Sequence, residues 1–143
     1  MHASGYPLVF TLSRTAPAPL TERRQLRRSM VAARADEDNA VLGWISVGGS
    51  RDSDASPTTG EVWAIYVDPR HWRRGVGRTL WNHARDTLRD AGFADVTLWV
   101  LKENHSALGF YASVGFTAEK GREERIERGG AELVEVRLRL RLT

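Results

Sequence analysis

Apolar residues fill every position of Val62-Trp63-Ala64-Ile65-Tyr66-Val67, which predicts a central strand covered on both faces. Asp68-Pro69 ends it. Val76, Leu80, Ala84, Leu88 and Ala91 then recur at helical spacing, so a helix is expected over 76–91 with Gly92 as its stop. A second apolar run, Val96 to Leu101, completes a parallel strand–helix–strand centre. A short helix is expected near Ser106 to Val114, closed by Gly115 in a left-handed cap. Upstream, 30–35 and 40–47 read as a hairpin turning through Asp36-Glu37-Asp38-Asn39. Arg122 to Arg128 and Glu132 to Leu140 flank Gly129-Gly130 and predict a closing hairpin. Residues 48–60, rich in Gly, Ser, Asp and Thr, read as a mobile loop. At the front, Leu8 to Leu12 reads as a short strand, and Glu22 to Arg28 as a short basic helix capped by Thr21. No repeat is visible. The expectation is one domain over 1–143 of α/β (α+β) class, with helices on a mixed, largely antiparallel sheet.

Composition narrows the chemistry. The chain has 143 residues, 41% of them hydrophobic and 27% charged, which suits a globular protein with one core. The absence of cysteine excludes a thiolate nucleophile, a disulfide framework and cysteine-ligated zinc. No apolar run approaches the ~18 residues that span a bilayer, and no leader pattern opens the sequence, so a cytoplasmic protein is expected. Basic residues gather at 22–28 and at 70–78, within a net charge of +3. The first group lacks interleaved aromatics, which argues against nucleic acid as a partner. The second flanks two glycines, where an anion site would want positive charge.

A phosphate-binding loop needs main-chain N–H groups converging on one anion, residues small enough for close approach, and a helix N-terminus behind them. Gly75 and Gly77 supply the smallness, the helix opening at Val76 the dipole, and Arg73, Arg74 and Arg78 the charge. The alternative is a plain strand-to-helix turn that happens to contain two glycines. Neither the spacing of a Walker loop nor that of a dinucleotide fold is present.

Two motifs carry a resemblance. Tyr66-Val67-Asp68-Pro69 followed by Trp72-Arg73-Arg74-Gly75-Val76-Gly77-Arg78-Thr79-Leu80 looks like a strand ending in V-x-P and then [QR]-x-x-G-x-[GA]. Asn104, Ala107, Phe110, Tyr111, Gly115 and Phe116 match N-x-x-A-x-x-F-Y-x-x-x-G-F at every spacing. With both motifs in order, the chain, from about residue 29 onward, resembles the GNAT superfamily of N-acetyltransferases. The resemblance implies a splayed parallel strand pair with acetyl-CoA, as cosubstrate, in the gap. The backbone of Ile65, Tyr66 and Val67 would pair with the pantetheine arm, Arg73 to Arg78 (with Gly75, Val76 and Gly77) would take the pyrophosphate, and Asn104 would bond nearby. Tyr111 would sit by the thioester sulfur. Two departures stand out: Trp72 replaces the usual Gln or Arg, and the part in front (1–28) is short of the family's strand and two helices. The acceptor wall is then open, or completed by a second copy in a homodimer.

The implied reaction is direct attack of a primary amine, on a small molecule or peptide, on the thioester carbonyl. A non-catalytic acyl-CoA-binding module with an incomplete acceptor site is the alternative. Tyr111 is the acid candidate, against a plain core aromatic. Glu61, at the entry to the central strand, is the base candidate, against a solvated residue at a strand end. His71 and His105 have neither a carboxylate partner nor metal-ligand spacing; both read as exposed loop residues, and no metal is expected.

Overall fold

A computed structural model describes residues 10–14, as backbone only, and residues 29–142. Its strands are β1 (Phe10–Arg14), β2 (Ser29–Ala35), β3 (Val41–Gly49), β4 (Thr59–Val67), β5 (Asp95–Leu101), β6 (Thr117–Arg128) and β7 (Ala131–Arg141). Two helices, α1 (Val76–Asp90) and α2 (His105–Ser113), and one 3-10 turn (Pro69–His71) complete the described elements. The strands form one sheet in the order β1-β2-β3-β4-β5-β7-β6. Only β4 and β5 run parallel, joined through α1 as the pattern of the central residues requires. The fold is the mixed, largely antiparallel class expected. The basic helix anticipated over 22–28 and the start of the strand expected over Leu8 to Leu12 lie outside the described residues, which carry β1 from Phe10.

One face of the sheet packs on α1. Val76, Leu80, Trp81, Ala84 and Leu88 are buried along a single stripe of that helix. They meet Val31 and Ala33 of β2, Ile45 and Val47 of β3, Val62 of β4, and Val96 and Leu98 of β5, all within one buried cluster. Side chains of this size each contribute about 1.5–3 kcal/mol when removed from water.

β4 departs from the expectation of a strand covered on both faces. Thr59 to Val62 are buried, but coverage fades toward Val67 and Tyr66 is 47% exposed. The cause is its neighbour. β4 and β5 pair only at Thr59↔Asp95, Gly60↔Val96 and Glu61↔Thr97, and then part. A bulge helps β4 turn away: Val62 opposes Val47 and Ala64 opposes Ser46, leaving Trp63 as the extra residue.

The segment expected to be a mobile loop is instead pinned across the sheet face opposite α1. Arg137 of β7 is 3% exposed. Its guanidinium holds Asp54 (2.9 and 3.0 Å), Asp52 (3.2 Å) and Glu119 (2.8 Å). Trp99 donates its indole N–H to Asp52 at 3.0 Å, and Arg122 reaches Asp54 at 2.9 Å. Arg139 ties Glu119 and Asp95 into the same network. Burial alone would raise the Glu119 carboxyl, yet the two arginines outweigh it and hold its pKa below the ordinary value. Composition marked the loop, but over 48–60 rather than the 50–58 left between β3 and β4. It could not show that the partners of Asp52 and Asp54 lie on β5 and β7.

Removing the central guanidinium leaves three carboxylates facing one another. Arg137→Met is expected to destabilise the fold by about 3 kcal/mol in urea unfolding; a change under about 0.5 kcal/mol would show the network to be dispensable.

Candidate active site

Where β4 and β5 separate, the sheet presents unpaired main-chain groups. The N–H of Asp68 donates to Leu42 C=O at 2.8 Å, so alternation also turns the main-chain groups of Tyr66 toward β3. Those of Ile65 and Val67 turn the other way, into the gap. One of them already has a partner: Trp72 donates its indole N–H to Val67 C=O at 2.8 Å. The residue at the departing motif position thus ties the following turn back to the strand.

A cleft of about 890 Å³ opens at this gap. Ile65, Tyr66, Val67, Arg73, Gly75, Gly77, Arg78, Asn104 and Tyr111 line it. Sequence reasoning singled out three more residues that do not. Val76 turns its side chain into the core, 1% exposed, and Arg74 is absent from the walls. Glu61 is also away from the cleft walls. It is buried rather than solvated, and its carboxylate accepts from the Arg51 amide (2.8 Å) and guanidinium (3.0 Å).

α1 begins at the cleft without a side-chain cap. Gly75 stands at the capping position with φ of 82°, and the first helical bond runs from the Thr79 N–H to Gly75 C=O at 3.0 Å. The amides of Val76, Gly77 and Arg78 are therefore left for an external acceptor. A Cβ at Gly75 would meet nothing within 4 Å, so the space before these amides is open. Charge favours an anion there. Arg70 is engaged by Asp68 at 2.7 Å, and these bonds hold the Asp68 carboxyl down at about 2. No carboxylate pairs with Arg73 or Arg78 among the described residues; Arg78 donates to the Ser113 hydroxyl at 3.4 Å. Open amides, a helix N-terminus and two uncompensated guanidinium groups fit a diphosphate.

Asn104 combines two features. Its side chain caps α2 by accepting from the Ala107 N–H at 3.1 Å, and it borders the cleft. Tyr111, on α2, is braced by Phe110 (ring centroids 5.5 Å apart) and Phe116 (5.7 Å). Burial pushes its phenol up to about 12, so it is a fully protonated donor at neutral pH. Close packing sets where it stands. A Cβ on Gly77 would come within 3.2 Å of the Phe110 ring and 3.6 Å of Val67. A side chain here would press on the Phe110 ring, which would have to give way by a few tenths of an ångström.

Sequence reasoning did not place Trp72 and His71 at the cleft, yet both line it. His71 is half-buried, its Nδ1 has no hydrogen-bond partner, and Asp68 Oδ2 is 3.8 Å away. The signal was adjacency to the glycine loop. Among the described residues no His, Asp and Glu cluster has metal-binding geometry, and no helix is long and apolar enough to cross a membrane.

The family profile described as Acetyltransferase (GNAT) family matches residues 7–116. The chain belongs to this GNAT family. The match starts well ahead of residue 29, so the family likeness includes the front of the chain. An uncharacterized N-acetyltransferase of Bacillus subtilis (strain 168), YuaI, is 33% identical over 115 residues, 80% of this chain and 63% of the relative. The mycothiol acetyltransferase of Kocuria rhizophila is 37% identical over 93 residues, 63% of this chain and 30% of that protein. The chain therefore spans less than two thirds of the length of these relatives. The structure of yncA from Salmonella typhimurium with acetyl-CoA superposes with a TM-score of 0.69 at 24% identity, covering 81% of this chain and 65% of that one.

Gly77→Val is expected to force Phe110 aside and destabilise the protein by about 1–3 kcal/mol in chemical unfolding. An unchanged midpoint would show that the two helices do not need this contact.

Proposed function

We propose that this chain is an N-acetyltransferase that moves an acetyl group from acetyl-CoA to a primary amine by direct attack. The observation that carries the reading is the cleft itself, which brings together uncapped amides, guanidinium groups without a carboxylate partner, a protonated phenol and the open edge of β4. Acetyl-CoA supplies the activated thioester carbonyl. The amides of Val76 to Arg78, with Arg73 and Arg78, hold its diphosphate; Arg74 adds positive charge from outside the walls. The main-chain groups of Ile65 and the N–H of Val67 orient the pantetheine arm, and Asn104 borders the same channel.

The Tyr111 hydroxyl donates a hydrogen bond where negative charge gathers on the departing sulfur. With its phenol at about 12, complete transfer to a thiolate of pKa ~8.5 would be uphill by about 5 kcal/mol. Tyr111 thus stabilises the thiolate and keeps its proton.

The acceptor must arrive neutral. Deprotonating a lysine-like amine at pH 7 costs about 4.6 kcal/mol, an α-amine only about 1 kcal/mol. No carboxylate lines the cleft among the described residues, and Glu61 is held by Arg51. We therefore favour an acceptor with a weakly basic amine, such as a peptide α-amine or an amino group on a small polar molecule. In this reading Glu61 fixes the loop after β3, and any base action by it passes through water.

A thiol-release assay across peptides, lysine-like amines and aminoglycosides tests the assignment. Peptide α-amines should turn over about 10²-fold faster than lysine ε-amines at pH 7; the reverse order would refute the weakly basic acceptor. Tyr111→Phe should lower turnover about 10²-fold with acetyl-CoA affinity retained. The wild-type profile should show no loss of rate from phenol ionisation below pH ~11, because burial has raised that group. Gly75→Glu should abolish acetyl-CoA binding, since it puts a carboxylate before the open amides; unchanged affinity would remove the diphosphate site. Tight binding without turnover on any acceptor would favour a non-catalytic module.

A further inference from the structure

β6 is an edge strand of the sheet, and its last residues carry charges that complement themselves. β6 and β7 keep one register from Glu123↔Val136 to Arg128↔Ala131. Lys102 donates its N–H to Val134 C=O at 2.9 Å, so Val134 turns its main-chain groups away from β6. By alternation Ile126 bonds to β7, and the main-chain groups of Arg125 and Glu127 face outward. Like charges oppose each other within this hairpin, at Glu124↔Glu135 and Glu127↔Glu132. Such pairs weaken a ladder. Among the described residues Glu124, Glu127 and Arg128 have no ion-pair partner, and Arg125 reaches Glu132 at 3.2 Å through two exposed side chains.

We propose that a second copy of this chain pairs antiparallel along β6, with Ile126 on the two-fold axis. The inference is independent of the acetyl-CoA reading. Two antiparallel strands bond only through residues whose main-chain groups both face the gap, so Arg125 and Glu127 must oppose odd-numbered residues of the partner. With Ile126 opposite the partner's Ile126, Arg125 faces the partner's Glu127, and Glu124 faces the partner's Arg128. Every charge within 124–128 then meets its opposite. Ile126 and its cross-strand neighbour Leu133 meet their own copies at the axis. Sliding by one permitted step sets Arg125 against the partner's Arg125 in one direction, and Glu127 against the partner's Glu127 in the other. Charges on an edge strand ordinarily keep other strands away. Here the order of signs repels the two neighbouring registers and accepts the one between them. The second copy sits at the sheet edge farthest from β1.

Sedimentation of the wild-type chain at micromolar concentration should show a dimer. Arg125→Glu sets a carboxylate against the partner's Glu127, twice by symmetry, and should weaken the dimer about tenfold or more. Combining Arg125→Glu with Glu127→Arg restores opposite charges in the same register and should recover wild-type affinity within about threefold. Cross-linking reads the axis directly. The chain has no cysteine, so Ile126→Cys introduces a single thiol. A non-hydrogen-bonded pair on the axis brings its Cα atoms to about 4.5 Å, within disulfide range. Mild oxidation should therefore link two chains through position 126, whereas Glu124→Cys should stay unlinked. A monomeric wild-type chain, a dimer indifferent to Arg125→Glu, a double exchange that fails to recover pairing, or equal cross-linking at 124 and 126 would each overturn the proposal.

Discussion

β4 and β5 pair through three residues and then separate, and the rest of the site follows from that separation. A strand in the middle of a sheet ordinarily satisfies its main-chain groups on both sides, and each buried group left without a partner costs about 1–3 kcal/mol. Here β4 keeps β3 on one side throughout and loses β5 on the other. The unpaired edge is open to solvent instead of buried, which lowers that cost. The structure keeps the strands from closing by giving each something else to do. The Trp63 bulge turns β4, Trp72 occupies Val67 C=O, and β5 remains fully paired with β7 on its far side. The start of α1 and the face of α2 then wall the space.

Charge is divided between the two faces of the sheet. Opposite α1, arginines and carboxylates neutralise one another in a compact network around Arg137. On the cleft side, Arg73 and Arg78 have no carboxylate partner among the described residues, while Arg70, only a few positions away, is fully engaged by Asp68. A modest net charge of +3 therefore says little about the protein's field, which is set by which guanidinium groups are left uncompensated.

Local patterns in the sequence were sufficient for most of this architecture. The recurrence of Val76, Leu80, Ala84 and Leu88 marked α1, and Gly129-Gly130, both at positive φ, marked the β6–β7 turn. The anion loop was legible because its requirements are local too: glycine, a helix start and basic residues within a few positions. What sequence reading missed was contributed by distant residues. The pinning of 50–58 needs Trp99 and Arg137, and the burial of Glu61 needs Arg51. Trp72 was read as a departure from a motif, but its hydrogen bond to Val67 appears only once the chain doubles back. The loss of cover along β4 was hidden for a related reason. An all-apolar run reads the same whether its neighbour stays or leaves.

The strand order carries a consequence for how the chain is made. β7 follows β6 in synthesis but lies between β6 and β5 in the sheet. While the ribosome is still adding α2 and β6, β5 has no partner along the edge that β7 will fill, and its contact with β4 covers three residues. The nascent chain therefore presents β5 with one unpaired edge until β7 emerges and inserts, an interval of some seconds at ordinary translation rates.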